Sequence, residues 1–377
     1  MRKEVIIPDI FKTTPIVYAV SHEYQIFIPV NAPCVMWIEV DGYTDHAFYD
    51  DINGVLRSDV KTHKIVIPMD ILDEAKGYTV CFRCVIERKP YFSELNEVET
   101  YHSEFRPVPT GNVRIYHIAD AHNRVEAPIK CASYFEDGPD LLIMNGDIPN
   151  HAGEDRGLET VVQIASRVTK GEIPVIFARG NHDTRGAFAE HLFDIVPTFN
   201  GDSYYTVTLG NMWFLVLDCG EDKPDSNDEY GGVNCFEDFR RRETLFIEDV
   251  IRRASEEYNA KGIKHRILLC HVPFTFTPKE PFNIELDTYG YWARMMREDI
   301  KPEMMLCGHL HKALLCPVGC GYDNKGQACP LVLASQIIKK NGDYMVGGAI
   351  TVSDKAIDIV FNQSTGEIIG TERIELG

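Results

Sequence analysis

Four segments of this chain are apolar almost without a break and then stop at polar residues: DLLIMNGD (140–147), PVIFARGN (174–181), HRILLCHV (265–272) and EMMLCGHLH (303–311). A strand with one face in water alternates apolar and polar side chains. A strand buried on both faces does not, and reads as a continuous apolar run. Such strands belong inside a sheet that is covered on both sides. VRIYHIAD (113–120) and MWFLVLDCG (212–220) follow the same rule. Helical patterns lie between them, clearest over 236–262, where Phe239, Leu245, Ile247, Val250 and Ile251 form an apolar side and Gly262 a stop. The rhythm of strand, loop and helix predicts an α/β fold for the greater part of the chain.

In open α/β sheets ligands gather beyond the carboxyl ends of the strands. The residues at those ends are Asp120 and His122, then Asp147, then Asn181, His182 and Asp183, then His271, then His309 and His311. The pairs 120/122 and 309/311 are two residues apart, which points both side chains the same way on an extended chain. Gly146, Gly180 and Gly308 stand where the backbone must turn sharply or approach closely. His117 lies within the first strand and reads as a packing residue. His22, His46, His63, His102, His191 and His265 read as surface or rim positions.

Charge narrows the partners. The formal net charge of −19 repels a polyanion, so a nucleic acid duplex and an anionic membrane are both disfavoured. A small phosphate ester is not excluded, because one local site can be positive within a negative molecule. No apolar run approaches the ~20 residues that span a bilayer. The amino-terminal MRKEVIIPDIFKTTP carries no long apolar segment and no small-residue cleavage site, so it does not read as a leader. The 11 cysteines sit mostly in apolar runs and read as buried thiols of a reducing cytoplasm. A cytoplasmic location is therefore expected.

The first hundred residues have a different pattern. YQIFIPV, CVMWIEV, HKIVIP and YTVCFRCVI are short runs rich in β-branched and aromatic residues, separated by turn signals at Asp41-Gly42 and Asn53-Gly54. They predict an all-β sandwich. FRPVPTGN (105–112) reads as the linker. The expected division is a β-sandwich over 1–110 and an α/β domain over 111–377. Leu72 and Tyr78 in LDEAKGY resemble the tyrosine corner of fibronectin type III domains, where the hydroxyl bonds back to nearby backbone.

Taken in order, DxH, GD, GNHD, a lone His and GHxH resemble the calcineurin-like metallophosphoesterase superfamily over roughly residues 113–335. The resemblance implies a four-layer α/β/β/α metallophosphoesterase sandwich. The immunoglobulin- or fibronectin-like module before it is similar to the arrangement in purple acid phosphatases. It also implies two divalent metal ions: Asp120, His122 and His311 hold one, Asn181, His271 and His309 the other, and Asp147 bridges them. Oxygen and nitrogen ligands without thiolate suit Mn, Fe or Zn. Asn181 ligates through its carbonyl oxygen without adding negative charge. Two ions bring about +4, and two carboxylates with a bridging hydroxide leave about +1, a centre that attracts phosphate. The implied reaction is phosphate ester hydrolysis by that hydroxide. His182 is the expected proton donor to the leaving oxygen, with Asp183 or Asp120 holding its imidazole protonated.

The pattern also departs from its relatives. Purple acid phosphatases have a tyrosine three residues after the Asp of GD, where this chain has Asn150, so an Fe(III)–tyrosinate centre is not expected. Protein serine/threonine phosphatases resemble GDxxDRG there, and Asn150-His151 weakens a phosphoprotein substrate. A small phosphate ester remains the expected substrate. A phosphodiesterase or nucleotidase acting on small nucleotides is the enzymatic alternative. A non-catalytic binding protein working through its β-sandwich is the other. The acidic loop 217–232 is a candidate pocket wall through Glu221, Lys223 or Tyr230, and the Gly-rich stretch 316–329 falls near the pocket mouth. An exposed sandwich edge leaves a homodimer open.

Overall fold

The computed structural model describes residues 5–153, 155–338 and 344–377. Residues 1–4, the start of the stretch read for a leader, lie outside the described residues. Strands Val113–Ile118, Leu141–Asn145 and Pro174–Ala178 pair in parallel, in chain order. Their apolar residues divide by the strand period of two. Ile115, Leu141, Ile143 and Ile176 face the largest core cluster. Tyr116, Ile118, Leu142, Met144, Val175 and Phe177 face the other way, towards helices Glu126–Ala132 and Asp155–Thr169. Val161, Ile164, Ala165 and Val168 recur at helical spacing and meet them.

A second sheet runs in the order Tyr205–Leu209, Met212–Leu217, His265–Cys270, Met304–Cys307, Leu331–Ala334, Ala313–Cys316. Phe214, Val216, Leu269 and Leu306 pack into the same central cluster as Ile115. Leu215, Leu217, Leu268 and Met305 face helices Phe236–Arg252 and Leu286–Met295. Two sheets thus lie face to face with helices outside, the four-layer arrangement expected. The helix predicted over 236–262 ends earlier, at Arg252. Beyond it Tyr258 is buried against Trp213, with ring centroids 5.4 Å apart, and that packing turns the chain off the helix axis. Leu245, assigned to the apolar side, is exposed.

The amino-terminal strands form the expected sandwich. Cys34–Val40, Phe48–Tyr49, Gly77–Glu87, Glu94–Leu95 and Glu99–Glu104 make a five-stranded sheet. It packs on Ile16–Val20, Glu23–Pro29 and Thr62–Pro68, with Met36, Ile38, Val80 and Phe82 in one cluster with Ile26, Ile28, Ile65 and Ile67. The second layer of this sandwich is continuous with the first α/β sheet. Ile16–Val20 pairs in parallel with Pro174–Ala178, so one ten-stranded sheet runs through both parts.

Tyr78 is fully buried, but its hydroxyl does not close a tyrosine corner on nearby backbone. It donates to the Gly171 carbonyl at 3.0 Å, just before the strand that Ile16–Val20 joins. The sheet junction places a buried carbonyl there, and the tyrosine is its nearer donor, with Ser103 Oγ a longer one at 3.5 Å. Tyr78→Phe is expected to lower unfolding stability by about 1 kcal/mol, because the Gly171 carbonyl then stays buried without that partner. Urea denaturation measures this, and an unchanged midpoint contradicts it.

Two histidines read as surface positions are buried. His63 Nδ1 lies 2.7 Å from Asp50 Oδ2 and its Nε2 lies 3.3 Å from Cys34 Sγ, so its polar atoms are satisfied inside the sandwich. His265 is buried at the start of its strand. All cysteines are free and most are buried. Among the described residues, no helix is long and apolar enough to cross a membrane.

Candidate metal centre

The strand ends converge at one edge of the two facing sheets. Asp120, His122, Asp147, His309 and His311 all adopt left-handed backbone, with φ of 54°, 44°, 52°, 65° and 51°. That conformation costs of order 1–3 kcal/mol at a non-glycine residue and persists only where the surroundings enforce it. Its recurrence at five candidate ligands marks the place where the fold stores strain. Gly146 shows the crowding behind this. A Cβ there would lie 2.5 Å from the Gly180 nitrogen and 2.7 Å from His271 Cγ. Its φ of +76° is also open to glycine at little cost.

Ligand atoms meet in consistent pairs. His122 Nε2 and His311 Nε2 are 3.1 Å apart, and His311 Nε2 lies 3.2 Å from Asp120 Oδ1. His271 Nε2 lies 3.2 Å from Asp147 Oδ2, and His309 Nδ1 lies 3.0 Å from Asn181 Oδ1. Donors placed about 2.1 Å from one cation stand roughly 3.0–3.4 Å from each other across a coordination edge. Asp120, His122 and His311 form one set that fits an ion; Asp147, His271 and His309 form another, which Asn181 joins through His309. Asp147 also groups with His122 and His182, so its carboxylate lies between the two sets.

The donor chemistry fits divalent cations. His271 Nδ1 donates to the Asn145 carbonyl at 2.6 Å, which fixes the ring with Nε2 facing inward. That Nε2 is buried without a hydrogen bond, despite its closeness to Asp147. Burial alone would depress the His271 pKa. The Asp147 and Asp120 carboxylates outweigh it and push the value up to about 10. Burial likewise opposes ionisation of Asp147, but His271 holds its carboxyl below the usual range. The buried carboxylates therefore call for positive charge at this point. Asn145 also donates to His117 Nε2 and to the Leu306 carbonyl, both at 3.0 Å, tying the two sheets together behind the site. His117 is a packing residue, as read, and burial lowers its pKa to about 3.

His182 sits at the rim. Its ring partners are not the carboxylates expected of it. Nδ1 donates to the Asn150 carbonyl at 2.7 Å, and Nε2 accepts from Arg185 Nη1 at 3.2 Å. Asp183 turns the other way: its Oδ2 accepts from the Gly180 and Asp147 amides at 2.6 and 3.1 Å and ties the two ligand loops together. Burial, with the Asp147 charge, raises its pKa to about 7. The reason is local. His182–Thr184 is a turn of 3-10 helix, and neighbours on so tight a turn point in different directions.

Arg185 was not legible as a site residue. Glu221 grips it with both oxygens, each at 2.7 Å, and is itself buried and bonded by Thr184 and Tyr230. The i,i+3 spacing from His182 on a 3-10 turn was the signal that could have found it. Asp222 lies 3.8 Å from His309 Nε2, placed to orient that imidazole from behind. The acidic loop thus lies against the candidate ligands through Glu221, which holds Arg185, and Asp222, which is near His309; Lys223 pairs instead with Glu229 at 2.6 Å.

A family model described as Metallophos, calcineurin-like phosphoesterase, matches residues 113–313. Among solved structures, the chain is similar to purple acid phosphatase PPD1 from yellow lupin (Lupinus luteus) seeds, with TM-score 0.61 and 12% identity over 97% of this chain and 75% of that one. It is also similar to PhoD, with TM-score 0.56 and 10% identity over 98% of this chain and 94% of that one. At such identities the likeness is one of fold. No curated protein gives a significant sequence match.

Proposed function

The chain belongs to the calcineurin-like phosphoesterase family of metal-dependent phosphoric ester hydrolases, and from that premise we propose that it hydrolyses small phosphate esters at a centre for two divalent ions. Asp120, His122 and His311 would hold one ion. Asn181, His271 and His309 would hold the other, and Asp147 would bridge them. The observation that carries this reading is the buried, unbonded Nε2 of His271 between Asp147 and Asp120. When bound, the ions supply an acidified water as nucleophile and neutralise charge on the phosphoryl group.

The remaining steps fall to the chain. The Asn150 carbonyl anchors His182 through Nδ1–H, so Nε2 faces the site and, once it has taken a proton from solvent, is the atom that passes one to the leaving oxygen. Arg185 Nη1, facing that nitrogen, moves to a phosphoryl oxygen when the ester enters, and Glu221 fixes the plane of its guanidinium. Asp183 keeps the Asp147 and Asn181 loops in register through their amides.

The test is elemental analysis of the purified chain together with phosphate release from a simple alkyl monoester and a dialkyl diester. About two divalent ions per chain and turnover of at least one ester are expected. A fully loaded protein that turns over neither ester overturns the reading.

A further inference from the structure

Arg185 is the cation on the side of the centre that holds His182 and His309, and it does not stand alone. Glu221 takes it with both oxygens at 2.7 Å, and Asp222 Oδ1 lies 3.6 Å from its Nη2. The other oxygen of Asp222 is the one 3.8 Å from His309 Nε2. Asp222 is therefore set between a candidate metal ligand and the arginine. Its side chain is 11% exposed and that of Glu221 1%, so solvent screens both poorly. The Tyr230 hydroxyl lies 3.0 Å from Glu221 Oε2 and 3.2 Å from Asp222 Oδ1, so its one proton is shared and cancels neither charge. Lys223, the one cation of the loop over 217–232, is taken by Glu229 at 2.6 Å. Arg124 Nη1 is bonded to the Ala121 and His122 carbonyls, at 3.3 and 3.5 Å.

Arg185 thus brings one positive charge to the phosphoryl position and two negative ones with it. Two dications with Asp120, Asp147 and a hydroxide leave about +1. The rim offsets that, and each further negative charge on an ester meets Asp222 again. Shape allows a second substituent on the phosphorus. The His182 and His311 side chains are 28% and 44% exposed, against 1% for His271, so this side of the centre opens to solvent.

We propose that Asp222 determines specificity by charge, so that the site selects singly charged phosphodiesters and repels doubly charged monoesters. The inference rests on the phosphoester hydrolase reading above. Repulsion built against the wrong ligand discriminates as well as attraction to the right one. In the reaction the water oxygen bonds to phosphorus and the phosphorus–oxygen bond to one alcohol breaks. That alcohol leaves with one proton. The product monoester keeps the other ester group and the rest of the water. Once it carries two charges, the carboxylate that rejects monoester substrates also favours its departure.

The experiment compares methyl 4-nitrophenyl phosphate with 4-nitrophenyl phosphate on the metal-loaded full chain. The leaving group is the same. At about pH 8, above the second ionisation of a monoester at about 6, the two esters carry one and two negative charges. A kcat/KM about 10-fold or more higher for the diester is expected, and this parental ratio needs no variant. Asp222→Asn, at equal metal content, should raise the monoester-to-diester ratio about 10-fold. Its amide oxygen can still accept from Tyr230, so shape and that bond are kept. Glu229→Gln removes a charge from the exposed part of the same loop and should leave the ratio within about twofold. A parent that favours the monoester, a ratio unmoved in Asp222→Asn, or an equal shift in Glu229→Gln overturns selection by Asp222 and leaves the hydrolase reading standing. Turnover of neither ester overturns both.

Discussion

Asp147→Asn is expected to lower kcat/KM by about 10³-fold or more, a loss of roughly 4 kcal/mol of transition-state stabilisation, in a chain that still folds. The substitution keeps size and shape. An amide oxygen can still accept the His182 backbone N–H, which now reaches Asp147 Oδ1 at 2.7 Å. What disappears is the charge between the two ligand sets. Asp147 Oδ2 lies 3.2 Å from His271 Nε2 and 4.0 Å from both His122 and His182. Asp120 alone would remain to balance two dications. The expected signature is therefore double: turnover collapses, and bound metal falls below two ions per chain. Circular dichroism and elemental analysis separate this from unfolding. Retention of both ions and of parental turnover would remove Asp147 from the bridge.

The parts of the site carried by strand ends were legible because strand geometry leaves little choice. Once DLLIMNGD and EMMLCGHLH are buried strands, their terminal Asp and His residues must emerge at the same edge. The glycines beside them mark where backbone meets backbone, as Gly146 against Gly180 shows. Side-chain partnerships were harder. His182 and Asp183 are adjacent in sequence, yet one meets the Asn150 carbonyl and the other the Gly180 amide. A single 3-10 turn decides that, and composition carries no trace of it. Tyr78 and Gly171 illustrate the long-range case, 93 positions apart. Their contact exists because Ile16–Val20 adds to the edge of the α/β sheet. A strand with five apolar, fully buried residues needs cover on both faces, but the sequence alone does not say which open edge receives it. His63 fails for a related reason: its burial depends on Cys34 arriving from another strand and on Asp50 from the segment just after Phe48–Tyr49.

Arg185 gives the second large effect. Arg185→Ala is expected to reduce kcat about 10²-fold, the scale of losing one preorganised donor to a phosphoryl oxygen. The guanidinium is only a quarter exposed, and burial by itself works against its charge. Two bonds from Glu221 more than restore it, so the cation is held in one plane with Nη1 turned to His182. Lysine cannot reproduce that grip, because a point ammonium lacks the paired donors that match a carboxylate. Arg185→Lys should therefore fall close to Arg185→Ala. Adding free guanidinium to the alanine variant should restore part of kcat, which a purely structural role would not allow. Glu221→Gln retains shape and weakens the clamp, so a smaller loss of about 10-fold is expected, again in kcat. If Arg185→Ala stays within twofold of the parent in kcat, the guanidinium does not touch the reacting phosphoryl group, and the Glu221–Arg185 pair serves only to hold the acidic loop against the turn that carries His182.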